Sequence, residues 1–139
     1  MTLTLTSFAS LRKLPTTRAW SCMCYPPAFV IEHTFGRVHA LAPTPDEMVR
    51  LKLHGHNRTI GERLYRERLQ RILAEDPLLG WTWPTQRRVE IGHGDALVCT
   101  CSPSKACHLM LLAPLLTAVG VDVVLYPLAP PPSAQLSLL

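Results

Sequence analysis

Acidic residues are missing from the first 31 positions, where Arg12, Lys13 and Arg18 stand among Thr, Ser and Leu. Charge is scarce overall at 17% of 139 residues, with 47% hydrophobic residues, which excludes a charge-driven disordered chain. No apolar stretch reaches membrane-spanning length. The longest, Leu109 to Val119, contains Pro114, so no membrane partner is expected. An even cysteine count is also lacking. Five cysteines without a secretory pattern argue against a disulfide scaffold and for a reducing cytoplasm. A chain of this length is expected to form one domain. Its net charge of +4 is compatible with a nucleic-acid partner and does not by itself select one.

Three segments are expected. Residues 1–27 read as a poorly ordered extension, with a transit-peptide-like composition as the other reading. Residues 28–126 read as a single α/β domain, and residues 127–139 as a Pro-rich tail. Within the domain, Phe29 to Ile31 is expected as the first strand, with Val38 to Leu41 also extended. Thr44-Pro45-Asp46-Glu47 is a helix start: N-cap, Pro at the first position, acids in the first turn. Thr59 and Glu62 have capping-box spacing before a helix with Ile60, Leu64, Leu69, Ile72 and Leu73 in one stripe, ending before Pro77. Arg63, Arg66 and Arg71, interleaved with Glu62 and Glu67, read as its solvated face. Trp81 and Trp83, near Arg87 and Arg88, read as caps on a core edge before a nucleic-acid stacking platform. His54 and His56 lack a nearby third metal ligand. His93 precedes the next strand, from where it is in range of Cys107.

The stretch from Gly94 to Tyr126 organises the rest. Ala96 to Cys99 is an apolar strand, Ser102-Pro103-Ser104 breaks it, Leu109 to Val119 is helical and stops at Gly120, and Val121 to Tyr126 is a second strand. This terminal βαβ unit predicts a small Rossmann-like three-layer domain with a short, mostly parallel sheet. Ligands of such sheets sit beyond strand C-termini. That loop holds Cys99, Cys101, Cys107 and His108, and three readings of it stay open. In one, Cys107 is a low-pKa thiolate beside His108, both catalytic, while Ser102, Ser104, Lys105 and loop amides hold a phosphate. In another, Cys99, Cys101, Cys107 and His108 ligate a metal, with zinc as the cofactor. In the third, Cys99 and Cys101 are buried apolar side chains and only Cys107 and His108 face the loop. A four-thiolate zinc site from Cys22, Cys24, Cys99 and Cys101 would need long-range pairing that the sequence does not supply.

The pattern Cys-x-Cys-x-Pro-x-x-x-Cys-His, from Cys99 to His108 before a Leu-rich helix, resembles the signature of the uncharacterised family called domain of unknown function 4326. Gly36-Arg37 resembles the Gly-Arg that follows that family's first strand. The resemblance implies an α/β domain of bacteria and phages, and adds Gly36 and Arg37 to the anion- or nucleotide-binding set. It implies no reaction. At the C-terminal end, Gln135-Leu136-Ser137-Leu138-Leu139 resembles the bacterial sliding-clamp binding motif, displayed behind Pro130, Pro131 and Pro132. Gln135, Leu136, Leu138 and Leu139 would contact the clamp. The combined expectation is a protein that binds a nucleotide or nucleic-acid component and is recruited to replicating or repaired DNA. The alternative is a non-enzymatic interaction module, either clamp-binding or metal-stabilised.

Overall fold

Alternation of Thr and Leu in Thr2–Ser7 decides an interior strand of the sheet. A computed structural model describes residues 1–14, 18–100 and 108–126. In it Thr2–Ser7 is strand β1, held in parallel register between β6 (Ala96–Cys99) and β7 (Asp122–Tyr126). Leu3 and Leu5 are fully buried on one face, while Thr4 and Thr6 share the other with Ala96 and Val98. The expected N-terminal extension therefore supplies a core strand. Period-two patterning outweighs the missing acids, because a buried strand needs no charge.

Among the described residues, seven strands run in the order β5-β4-β3-β2-β6-β1-β7. β2 (Ala19–Ser21) and β3 (Gly36–Arg37) continue the parallel set, while β4 (Leu79–Thr82) and β5 (Arg88–Glu90) add an antiparallel edge. The sheet is mixed, mostly parallel and flanked by helices, as a Rossmann-like α/β domain requires. The β6–helix–β7 unit forms as expected, with β1 lying between its two strands.

Among the described residues, four α-helices flank the sheet. Residues expected as the first strand belong instead to α1 (Ala28–His33), whose first turn is set by Pro27: its carbonyl accepts from Val30 and Ile31 N–H groups. A three-residue apolar run does not distinguish strand from helix. Val38 to Leu41 is likewise a turn, with Leu41 and Ala42 N–H groups donating to Val38 O. Helix α2 (Pro45–Leu51) begins as read, with reciprocal Thr44–Glu47 bonds of 3.2 and 3.0 Å. Helix α3 (His56–Glu75) has Gly55 as its N-cap, with φ +64°, four residues before the expected cap at Thr59. Glu62 pairs with Arg58 at 3.0 Å rather than capping Thr59. The buried face of α3 is Gly61, Tyr65 and Leu69. A Cβ on Gly61 would lie 2.8 Å from Arg50 Cβ, so glycine sets the close α2–α3 crossing. Helix α4 (His108–Ala118) packs on α3 and buries Leu109, Leu112 and Leu116. Among the described residues no helix is long and apolar enough to cross a membrane.

Arg68 ties α3 to α2. It donates to both Glu47 carboxylate oxygens at 2.8 Å, and to Ala40 and Ala42 carbonyls at 2.9 Å. Burial alone would raise the Glu47 carboxyl, but Arg68 and Thr44 together hold it below its ordinary 4.5. A depressed folded value contributes stability that is full above the unfolded value and is lost as pH falls through the folded one. Burial, then the charge of Arg37, also lowers His39 from 6.5, with the same sign. Chemical denaturation across pH should show constant contributions from both groups above pH 6.5 and a loss on acidification. Glu47→Gln should cost about 1–3 kcal/mol at neutral pH and remove the part of the acid loss below pH 4.5.

Candidate functional site

The C-terminal ends of β1 and β6 lie side by side, with Ser7 opposite Cys99. From there the chain leaves toward opposite faces. After β1 it enters a short 3-10 helix, Phe8–Lys13, whose Phe8 and Leu11 pack with Ala19, Ala96 and Val98. After β6 it reaches α4, which packs with Leu3, Leu5, Leu97 and Tyr65 on the other face. Strand ends whose connections diverge in this way flank the usual ligand position in an open α/β sheet, which makes the junction of β1 and β6 the candidate crevice. Ser7 Oγ donates to Ser10 Oγ at 3.1 Å at its mouth. One residue inside, the fully buried Thr6 Oγ1 has no hydrogen-bond partner among the described residues.

Next to this crevice β2 brings a second thiol. Ser21 is level with Val98, and Cys22 N donates to Val98 O at 3.0 Å, so Cys22 follows Ser21 as Cys99 follows Val98. Both cysteines are buried in the main core. Burial, then the neighbouring Cys99 thiol, pushes the Cys22 thiol far up, against a smaller opposing effect of Arg37. Cys22 and Cys24 are thus buried thiols, not members of an exposed extension. Parallel pairing of β2 with β6 supplies the long-range approach that nothing in the spacing foretold. Among the described residues, no group of three or more metal-ligating side chains forms.

His108 opens α4 but turns inward. It is 8% exposed, its Nε2 donates to Cys22 O at 2.8 Å, and its ring meets Tyr65 edge-on. The histidine expected to face the loop therefore joins the start of α4 to the β2 exit. That bond uses Nε2 as donor and leaves Nδ1 as its only nitrogen for a ligand or proton. Arg37 is also occupied: Nε donates to Met23 O at 2.9 Å, Nη2 to Cys24 O at 3.0 Å, and Nη1 meets His39 Nδ1. Its charge fixes the 22–24 backbone beside the crevice. Gly36 serves packing. A Cβ there would lie 2.0 Å from Trp81 O and 2.8 Å from the Trp20 ring.

Cys101, Ser102, Ser104, Lys105 and Cys107, and the tail residues Gln135, Leu136, Leu138 and Leu139, lie outside the described residues. His93 sits at the other end of the sheet, its Nδ1 accepting from Thr2 N at 3.1 Å, far from any approach through the strand ends. Trp83 Nε1 donates to Thr34 Oγ1 at 2.9 Å, and the half-buried Trp81 ring lies beside His39 and under Arg88. Ser7 and Thr6 are residues of this junction outside the sequence-predicted site, while Cys22 enters the sequence analysis only as a thiolate ligand of zinc. Alternation in Thr2–Ser7 was the available signal for the first two. Comparison with known proteins returns no matching family model, no matching curated protein and no matching solved structure.

Proposed function

We propose that the protein binds a nucleotide or another phosphate-bearing nucleic-acid component at the crevice between the C-terminal ends of β1 and β6. The carrying observation is the divergence of the two chain paths at Ser7 and Cys99. A buried hydroxyl at Thr6 without a partner adds a polar group that a ligand would satisfy. The β6–α4 loop, with Ser102, Ser104 and Lys105, follows this crevice in sequence and supplies anion-favouring chemistry. Cys107 and His108 are the catalytic pair of an enzymatic version, with His108 acting through Nδ1. The C-terminal peptide would bring the protein, within the cytoplasm, to a sliding clamp on replicating or repaired DNA. Leu136, Leu138 and Leu139 would each contribute about 1.5–3 kcal/mol on burial, consistent with affinity on the order of micromolar.

Calorimetric titration with nucleoside mono-, di- and triphosphates tests the reading. Wild type should bind at least one of them, and Lys105→Glu should weaken it by about tenfold, equivalent to 1.4 kcal/mol. Absence of binding to every nucleotide and to inorganic phosphate would sink it. In parallel, Gln135→Ala with Leu138→Ala should abolish binding to a sliding clamp and leave the thermal midpoint unchanged.

A metal-stabilised interaction module remains a second reading, favoured by the approach of Cys22 to Cys99. The described residues give two neighbouring thiols, short of the four donors that structural zinc takes. Loss of fold on chelation would select this reading over nucleotide binding.

A further inference from the structure

Among the described residues the sheet ends on β7, and nothing covers that edge. Val124 is 46% exposed, Leu125 44% and Tyr126 36%. Among the described residues β7 pairs with β1 alone, so one row of its N–H and C=O groups faces outward. Edge strands are ordinarily blunted by charges, proline or bulges. The opposite edge, β5, follows that rule with Arg88 and Glu90. β7 reads Asp-Val-Val-Leu-Tyr, with one charge at its first residue.

We propose that β7 is an interface between two copies of this chain, paired antiparallel about a two-fold axis at Val124. The five residues are complementary to their own reverse. With Val124 on the axis, Val123 meets the partner's Leu125, and Asp122 meets the partner's Tyr126. Aliphatic side chains face each other, and each phenol O–H is placed to donate to a carboxylate. An isologous contact makes each such pair twice. The chain's own residues after Tyr126 match the edge poorly: Pro127, Pro130, Pro131 and Pro132 lack the N–H that a ladder requires. No other strand chemistry is specified as completely by β7 itself.

Sedimentation velocity of the full chain over a concentration series tests this. The mass should rise from 15.5 kDa toward twice that value. Val124→Lys and Val124→Glu should each self-associate at least tenfold more weakly, because like charges meet on the axis. An equimolar mixture of the two should recover the dimer, since Lys then faces Glu. Hydrogen exchange on wild type supplies a readout independent of either variant's folding: amides 122–126 should gain protection with concentration. A wild type that stays a single chain at every concentration would overturn the proposal. So would dimers of both variants alone, a mixture that fails to associate, or β7 protection independent of concentration, which would mean that the chain covers its own edge.

Discussion

Asp95→Ala should remove about 3–5 kcal/mol of folding stability, read by urea denaturation, because it leaves buried donors around an emptied site. Asp95 is 2% exposed and stands just before β6. Its Oδ2 accepts from Trp20 Nε1 at 3.0 Å and Gly92 N at 2.9 Å, and Arg18 Nε reaches Oδ1 at 3.1 Å. Arg18 Nη2 lies 2.8 Å from Oδ2 as an ion pair. Trp20 is fully buried, so its indole N–H has no route to water once the carboxylate is gone. Backbone bonds add to this junction, with Thr4 N donating to Asp95 O at 3.1 Å and Ala96 N to Arg18 O at 2.9 Å. The carboxylate thus joins β2 and the residue before it to the turn that leads into β6, and the Asp95 backbone carbonyl adds β1. Domain stabilities of about 5–15 kcal/mol make such a loss severe. Asp95→Asn should cost about half as much, since one acceptor oxygen remains while the charge facing Arg18 is lost. A cost below about 1 kcal/mol for Asp95→Ala would show that the buried network is dispensable.

Gly36→Ala should be nearly as damaging, at more than about 3 kcal/mol, the upper end of ordinary overpacking. The added Cβ would stand 2.0 Å from the Trp81 carbonyl oxygen and 2.7 Å from its carbon. Both are backbone atoms of a paired strand, so relief requires β3 and β4 to part. On the same side, Trp20 lies across Gly36 and Gly80; a Cβ on Gly80 would be 2.2 Å from its ring. The two glycines leave room for one indole. Thermal unfolding and nucleotide titration of Gly36→Ala together separate two roles. A folded variant with an unchanged midpoint and lost binding would restore the anion-binding role that its Gly-Arg context implied. A large drop in midpoint places Gly36 in the packing of the sheet.

Self-contained local chemistry was legible at several elements, though the Thr59–Glu62 box, equally local, lies inside α3 instead of opening it. Thr44 to Glu47 carries its cap, proline and acids within four residues, and the helix starts there. The apolar run Ala96–Cys99, the Leu-rich α4, Gly120 with φ +89° and strand β7 are likewise readable, because each pattern is completed by near neighbours. Mostly parallel α/β architecture follows from that terminal unit. For the candidate site, sequence reading located the exit of β6 but misjudged its neighbours. His108 looked like a loop-facing histidine until Cys22 O and Tyr65 were placed beside it. Arg37 looked available to an anion until Met23 and Cys24 supplied its acceptors.

By itself the sequence determined the elements whose caps, periods and breakers lie within a few residues, and the class of fold that they build. Tertiary structure decided the rest. It placed Thr2–Ser7 inside the sheet between β6 and β7, set Ser7 beside Cys99 and Cys22 next to them, and left β7 as the last strand among the described residues. Those outcomes depend on strand order and register. These are fixed by contacts between residues up to about 120 positions apart, such as Thr2 with Asp122, and by which buried faces fit together rather than by any local pattern.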